Sequence, residues 1–110
     1  MYWQKRGNKY GNIHQTYNGI TYASRKEAGY AQELDLRLKA KDIKKWERQV
    51  RIPLKVKGDL IANYYIDFVI IHNDGTKEYT EIKGYETEVW RLKWKIFESL
   101  YKDKVRKGKV

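Results

Sequence analysis

One charged residue interrupts the most apolar stretch of the sequence. Asp67 is the only charged residue between Leu60 and Ile71, and residues 64–71 are otherwise almost continuously apolar. Such a run is typical of a central β-strand that is covered on both faces. Burying an unpaired carboxylate costs several kcal/mol, so Asp67 must be protonated, paired with a nearby lysine, or bound to a metal ion. The strand by itself leaves these three alternatives open.

The turn after this strand decides what lies opposite Asp67. Residues 73–75, Asn-Asp-Gly, are a strong turn signal, and residues 78–83 are predicted to form the returning strand. If the turn is a three-residue loop whose glycine is left-handed, Asp67 and Glu81 face each other across the hairpin. A two-residue turn would point them to opposite faces. Lys83 leaves the strand on the same face as Glu81, although most Glu-x-Lys pairs are only solvated strand edges.

A third acidic residue lies on a predicted helix from about Ser24 to Ala40. Glu27 falls within the apolar stripe of this helix, at helical spacing from Ala31 and Leu34. An acidic residue at such a position faces the sheet and not the solvent. The alternative is a capping box, in which the Glu27 carboxylate binds the backbone N–H of the N-cap residue Ser24.

The remaining segments complete an α/β sandwich, a small mixed sheet with a helix covering each face. At 110 residues, the chain is expected to be a single domain. The further predicted elements are a flexible basic arm (1–10), a hairpin (16–22), a strand (46–54), a polar turn (55–60), a final helix from Thr87 to Lys102 and a frayed basic tail (102–109).

The charge balance indicates a polyanionic partner. The chain has 24 basic and 14 acidic residues, a formal net charge of +10. Such a field attracts nucleic acid first and anionic membranes second. The arm residues Lys5, Arg6 and Lys9 suit a segment that orders on DNA, or else a solvated terminus. Lys93 is a candidate phosphate contact or a surface lysine, and Gln49 is expected to face the active-site cleft.

Several other classes of protein are excluded by the same sequence. No apolar run is long enough to span a bilayer, and the first residues lack the apolar core of a signal peptide. Without cysteine there are no disulfides and no thiolate metal sites, which favours a cytoplasmic location. No glycine-rich phosphate loop supports an NTPase, and the isolated His14 and His72 are assigned no chemistry.

Four of these residues together suit phosphodiester hydrolysis: Glu27, Asp67, Glu81 and Lys83. Their hard oxygen ligands favour Mg²⁺, or Mn²⁺ in its place, over zinc. Such an ion lowers the pKa of a bound water and neutralises charge on the phosphate. Lys83 would orient or deprotonate that water, or stabilise the pentavalent phosphate.

The order of these residues resembles the PD-(D/E)xK nuclease superfamily: a glutamate on a helix, an aspartate on a strand, then Glu81-Ile82-Lys83 on the next strand. More narrowly, the sequence is similar to a phage and prophage family described as of unknown function. The similarity covers about residues 9–101, and its motifs are residues 17–28, Tyr65-Ile66-Asp67-Phe68, Glu81-Ile82-Lys83-Gly84 and Thr87-Glu88-Val89-Trp90.

The resemblance implies a restriction-endonuclease-like fold, related to Holliday-junction resolvases and to the endonuclease subunit of some transposition systems. It implies Mg²⁺-dependent DNA cleavage in which Asp67 and Glu81 bind the metal, Glu27 completes the site and Lys83 is catalytic. Ile66 stands where the superfamily often has proline, a common departure. Because resolvases cut two strands symmetrically, a homodimer is also implied.

We therefore expect a structure-selective endonuclease that acts on branched DNA in phage recombination or replication, in the host bacterial cytoplasm. Two alternatives belong to other classes. The chain would be a non-catalytic nucleic-acid-binding module if Asp67 and Lys83 only pair and Glu27 only caps its helix. It would be an accessory protein if its aromatic residues dock on a replication or recombination enzyme.

Overall fold

The computed structural model describes residues 14–82, 86–101 and 106–109. The chain forms two compact units, residues 1–41 and residues 42–110. The elements, in chain order, are β1 (Gln15–Tyr17), β2 (Ile20–Tyr22), α1 (Arg25–Lys39), β3 (Ile43–Val56), β4 (Asp59–His72), β5 (Lys77–Glu81), α2 (Glu88–Tyr101) and β6 (Arg106–Lys109).

The first unit is a short hairpin followed by a helix, as predicted. Asn18 and Gly19 have φ angles of 53° and 82°, the left-handed pair that a tight two-residue hairpin turn requires. The strands β1 and β2 pair in antiparallel fashion around this turn. Ser24 is the N-cap of α1, because its side chain accepts the N–H of Glu27, and Ala40 is the C-cap. The apolar face of α1 buries Ala28, Ala31 and Leu34.

The second unit is a four-stranded mixed sheet with one helix. The strand order is β3-β4-β5-β6, in which β3, β4 and β5 are antiparallel and β6 is parallel to β5. The predicted α/β class is therefore confirmed. Helix α2 packs its aromatic residues Trp90, Trp94 and Phe97 into a core cluster with residues of β3, β4 and β5. Phe97 lies edge-on to Tyr79 of β5, with 5.2 Å between the ring centroids.

The hairpin of β3 and β4 is longer than the sequence pattern predicted. A polar turn over residues 55–60 was expected, but the two strands are joined by only Lys57 and Gly58. Their φ angles of 52° and 88° form a tight turn that needs no further residues. The prediction was wrong because Lys55 and Asp59 are exposed residues of a two-stranded ribbon, where polar side chains do not interrupt a strand.

The final helix begins at the predicted residue, whereas the prediction of a frayed tail is wrong for residues 106–109. The Thr87 hydroxyl accepts the Trp90 N–H at 3.0 Å, so Thr87 caps α2. Residues 106–109 are not frayed, since they pair with β5 and satisfy the backbone groups along its edge. The predicted arm, Lys102 and the rest of the tail lie outside the described residues. Neither described helix has the length and apolar character needed to cross a membrane.

The left-handed glycine of the β4–β5 turn provides a test of this fold. Gly75 has a φ of 89°, so Gly75→Ala should lower the free energy of unfolding by about 1 kcal/mol or more. Gly29→Ala is the matched control, because Gly29 lies in helix α1 with open space around its Cα, and this change should stabilise the protein by about 0.5–1 kcal/mol. Urea unfolding of the three proteins measures both effects, and equal shifts would contradict the assigned turn.

Candidate active site

The register of the β4–β5 hairpin brings two carboxylates together. His72 and Thr76 close a three-residue loop, with the His72 N–H donating to the Thr76 carbonyl at 2.8 Å. The register pairs Phe68 with Thr80, and its next position places Asp67 opposite Glu81. Of the two turns that the sequence left open, the chain has the three-residue turn with a left-handed glycine. The Asp67 N–H lies 3.4 Å from the Glu81 carboxylate as a result.

Strand β4 changes the direction of its side chains at Asp67. Ile66 and Val69 both belong to the core cluster against α2. Side chains alternate along a regular strand, so residues three apart cannot face the same side unless the alternation is interrupted between them. Across the sheet, the register places Gln49 of β3 opposite Asp67, and Gln49 has a φ of 50°, which is uncommon for any residue but glycine. Both strands are therefore distorted at the same level.

The Asp67 carboxylate is held by a side chain and by the backbone. Its Oδ1 accepts a hydrogen bond from Gln49 Nε2 at 3.0 Å, and its Oδ2 accepts the Ile82 N–H at 3.0 Å. Ile82 directly follows β5, so this carboxylate takes the place of a backbone acceptor where the two strands separate. No described lysine or arginine forms a salt bridge with Asp67. Gln49 therefore lies at the carboxylate pair.

Glu81 is the most deeply buried charged residue that the structure describes, with 1% of its surface exposed. Its Oε2 accepts hydrogen bonds from the Tyr64 hydroxyl and, at 3.2 Å, from Trp90 Nε1. Trp90 Nε1 also lies 3.1 Å from the Tyr64 hydroxyl oxygen. One donor comes from β4 and the other from α2, so the orientation of this carboxylate is fixed by two elements of the core.

Burial changes the protonation of this pair. Desolvation, together with the hydrogen-bonded and negatively charged Asp67 carboxyl, raises the pKa of Glu81 to about 8. The hydrogen bonds from Tyr64 and Trp90 act in the opposite direction. Burial and the Glu81 carboxylate also raise the pKa of Tyr64 well above its usual value, which keeps Tyr64 a neutral donor. At neutral pH the pair therefore shares a proton or needs another positive charge.

The oxygen atoms of Asp67 and Glu81 are the kind of ligand that a hard divalent cation prefers. No group of three or more His, Cys, Asp or Glu side chains in the described ranges is arranged to hold a metal. However, Mg²⁺ is commonly bound through one or two carboxylates, with waters and phosphate oxygens as its other ligands. Asp67 and Glu81 supply two such groups, and an ionised carboxylate has about four acceptor positions. The protein hydrogen bonds to these two carboxylates therefore leave acceptor positions for a cation.

Other predicted site residues have different surroundings. Glu27 is buried in the first unit, where its own N–H donates to the Ser24 side chain, as a capping box requires. Its carboxylate accepts the N–H of Ala23 at 3.1 Å, one residue before the predicted partner Ser24. The half-buried Lys93 donates to the Asn63 carbonyl at 3.1 Å, which attaches α2 to β4. Four predicted residues, Lys5, Arg6, Lys9 and Lys83, lie outside the described residues.

Two residues of the site were missed by the sequence analysis, Tyr64 and Trp90. Both were assigned to apolar elements, because their rings fit the hydrophobic pattern. A signal was available in their chemistry, since a buried Tyr hydroxyl or Trp N–H needs a hydrogen-bond partner. Glu81 is that partner for both.

The raised pKa of Glu81 makes stability depend on pH. The usual pKa of a Glu carboxyl is 4.5, and in the folded protein it is about 8, so between these values the folded state binds more protons than the unfolded state. The free energy of unfolding should therefore decrease as the pH rises through this range. Urea unfolding with chelator at pH 5, 6, 7 and 8 measures the decrease, which Glu81→Gln should largely remove. An unchanged pH dependence in that variant would contradict the assignment.

The Tyr64 hydroxyl can be tested by removing a single oxygen atom. Tyr64→Phe leaves the buried Glu81 carboxylate with one donor fewer, and should lower the free energy of unfolding by about 1–3 kcal/mol. Tyr65→Phe is the matched control on the same strand, where the side chain is 53% exposed and the effect should be within about 0.5 kcal/mol. Equal effects of the two changes would show that the hydroxyl does not support Glu81.

Comparison with known proteins gives one family. The family described as "Protein of unknown function (DUF1064)" matches residues 7–109. No curated protein and no solved structure matches the chain. The match includes both carboxylates and all the side chains that hydrogen-bond to them, and it covers nearly the whole sequence. The chain therefore belongs to the DUF1064 family.

Proposed function

We propose that this chain is a metal-dependent DNA endonuclease with a restriction-endonuclease-like core. The observation that carries the proposal is the Asp67–Glu81 pair, placed face to face by the register of β4 and β5. Two ionised carboxylates on directly opposite residues repel each other, and a divalent cation relieves the repulsion. An acidic pair of this kind supports the hydrolysis of phosphodiester bonds with Mg²⁺.

The local backbone supports a functional role for this pair. The left-handed φ of Gln49 lies in the middle of a 14-residue strand, where strain of this kind costs about 1–3 kcal/mol. Backbone strain of this kind is concentrated at active sites and ligand-binding sites. Here it coincides with the residue whose side chain donates to Asp67. A purely structural position would be occupied more favourably by apolar residues in regular strands.

Each residue has a separate task in the proposed reaction. Asp67 and Glu81 would hold Mg²⁺, or Mn²⁺ in its place, and the bound ion would activate a water and neutralise phosphate charge. Gln49 and Tyr64 keep the two carboxylates in position through their hydrogen bonds. Lys83, two residues after Glu81 in the sequence, would orient the attacking water or stabilise the charge that develops on the phosphate. The role of Glu27 as a further acidic ligand stays a prediction from the sequence.

The nucleic-acid substrate is supported by charge. A net charge of +10 on 110 residues attracts a polyanion, and Lys5, Arg6, Lys9 and Lys93 are the proposed phosphate contacts. Branched DNA as the substrate, a place in phage recombination or replication, and a homodimer that cuts two strands are proposed from the resemblance to Holliday-junction resolvases.

One observation favours a second function, that of a non-catalytic nucleic-acid-binding module. All four oxygens of Asp67 and Glu81 have a protein donor nearby, at distances up to 3.4 Å. A carboxylate pair satisfied in this way can be retained for structure alone, with one proton shared between its members. The two functions differ in their response to metal, because the binding module would bind DNA equally well with Mg²⁺ and with chelator and would not cut it.

Cleavage of labelled four-way junction, flap, single-stranded and duplex DNA with Mg²⁺, Mn²⁺ or chelator tests the proposal. Asp67→Asn and Glu81→Gln should each lower the metal-dependent rate at least about 100-fold, because each removes a ligand charge. Asp42→Asn is the matched control, an exposed aspartate directly before β3, and should leave the rate unchanged. Lys83→Ala and Glu27→Gln test the two remaining assignments.

The outcomes separate the two functions. Cutting that requires metal, and that is lost in both carboxylate variants but not in the control, would support the endonuclease. Tight binding without cutting under any metal would instead support the binding module. Neither binding nor cutting would favour the accessory protein that docks on another enzyme.

A further inference from the structure

The outer half of the β3–β4 hairpin has one face covered and one face open. Strand β5 pairs with residues 68–71 of β4, so the part of β4 before Asp67 is paired with β3 alone among the described strands. Ile52, Leu54 and Tyr64 pack into the cluster against α2. Since side chains alternate, the residues between them point to the opposite side. We call this side the ribbon face, and its residues are Arg51, Pro53, Asn63 and Tyr65.

An exposed tyrosine and an exposed arginine occupy paired positions on the ribbon face. The register pairs Arg51 directly with Tyr65, whose side chain is 53% exposed. Arg51 Nη1 donates to Asn63 Oδ1 at 2.8 Å, which orients the guanidinium group on the same face of the ribbon. Exposed aromatic rings next to arginine are the surfaces on which proteins stack unpaired bases, because every base presents a π-face. The chemistry of this pair matches a nucleotide better than an apolar partner.

The ribbon face lies next to the carboxylate pair along both strands. Tyr65 is two residues from Asp67 on β4, and Arg51 is two residues from Gln49 on β3, a separation of about 7 Å along each strand. Gln49 is exposed and donates to Asp67, which is half-buried. Because β4 changes the direction of its side chains at Asp67, this short distance is measured along the strands and does not mean a shared face. Nucleic acid on Tyr65 and Arg51 would approach the carboxylate pair from the side of the exposed Gln49.

The charges near the ribbon face suit a phosphate backbone. Residues 51–66 contain three basic residues, Arg51, Lys55 and Lys57, and one acidic residue, Asp59. Both lysines are exposed near the tip of the hairpin. In proteins that bind single-stranded nucleic acid, positive charges of this kind contact the phosphate backbone while aromatic side chains stack on the bases. A neutral apolar partner would gain nothing from these charges.

We propose that the ribbon face binds unpaired nucleotides beside the carboxylate pair, with a base stacked on Tyr65 and a phosphate held by Arg51. The proposal deepens the proposed function, on which its relevance to cleavage rests, by naming the substrate class: DNA with single-stranded or splayed nucleotides next to the cleaved bond. The ribbon face gives a plain duplex no equivalent contact, because its bases are already stacked on each other.

Fluorescence anisotropy in the presence of chelator measures this binding without cleavage. The probes are a labelled single-stranded oligonucleotide and a duplex of the same sequence. Tyr65→Ala should weaken single-strand binding about tenfold and duplex binding less than about twofold, whereas Tyr65→Phe should bind like the unaltered protein. Arg51→Ala should weaken single-strand binding and reduce its dependence on salt by about one phosphate contact.

Two matched controls address surface changes in general. Val89→Ala removes another exposed apolar side chain of the second unit, 63% exposed, and Arg25→Ala removes an exposed arginine of α1. Neither should alter the preference for single strands. Urea unfolding of each variant establishes that it is folded at the temperature of the assay. An equal loss of single-strand and duplex binding in Tyr65→Ala, or no loss of either, would overturn the proposal.

The result is separable from that of the cleavage assay. If no metal supports cutting but Tyr65→Ala still weakens single-strand binding selectively, the endonuclease fails and the ribbon face stands. If metal-dependent cutting is found while single-strand binding is insensitive to Tyr65, the endonuclease stands and the ribbon face is overturned.

Discussion

The second unit depends on the burial of one carboxylate opposite another. Glu81 is almost completely removed from water and has Asp67 directly across the hairpin. Burying a carboxylate next to another one is unfavourable. It is tolerated only when the surroundings supply hydrogen-bond donors or a positive charge. The surroundings here include a tyrosine, a tryptophan, a glutamine and a backbone amide, drawn from two strands, one helix and the residue after β5. The packing of α2 places Trp90 beside Glu81, and the register of the hairpin places Asp67 opposite it.

Much of this arrangement follows from local sequence. The register of β4 and β5 is determined by a turn of three residues, and the turn is determined by a glycine that tolerates its backbone angle. The spacing of residues along the chain therefore reduces the pairing of Asp67 with Glu81 to one open question, the length of the turn, which the structure answers. The caps of both helices are likewise predictable from single residues, Ser24 and Thr87. Local rules succeed where the deciding atoms are within a few residues of each other.

The remaining features depend on contacts that are distant in sequence. Tyr64 and Trp90 are 26 residues apart, and nothing local indicates that both donate to the same oxygen. The pairing of β6 with β5 joins segments across α2, and its residues are so basic that the pattern indicated a frayed tail. The length of the β3–β4 ribbon could not be read from the sequence pattern for a related reason. An exposed two-stranded ribbon needs no alternation of apolar and polar residues near its tip. Tertiary context determines these elements, and composition alone misleads.

The backbone angle at Gln49 has a consequence for which residues can replace it. Glycine would adopt a φ of 50° without strain, and on the ground of stability alone it is the better residue at this position. Glutamine is retained in this chain at the expense of conformational energy, and what it supplies is an amide directed at Asp67. Under the proposed function, position 49 is a place where thermostability and activity are in conflict. Sequences selected for heat resistance alone should drift towards glycine there, and in doing so lose the restraint on Asp67 before the fold itself is affected.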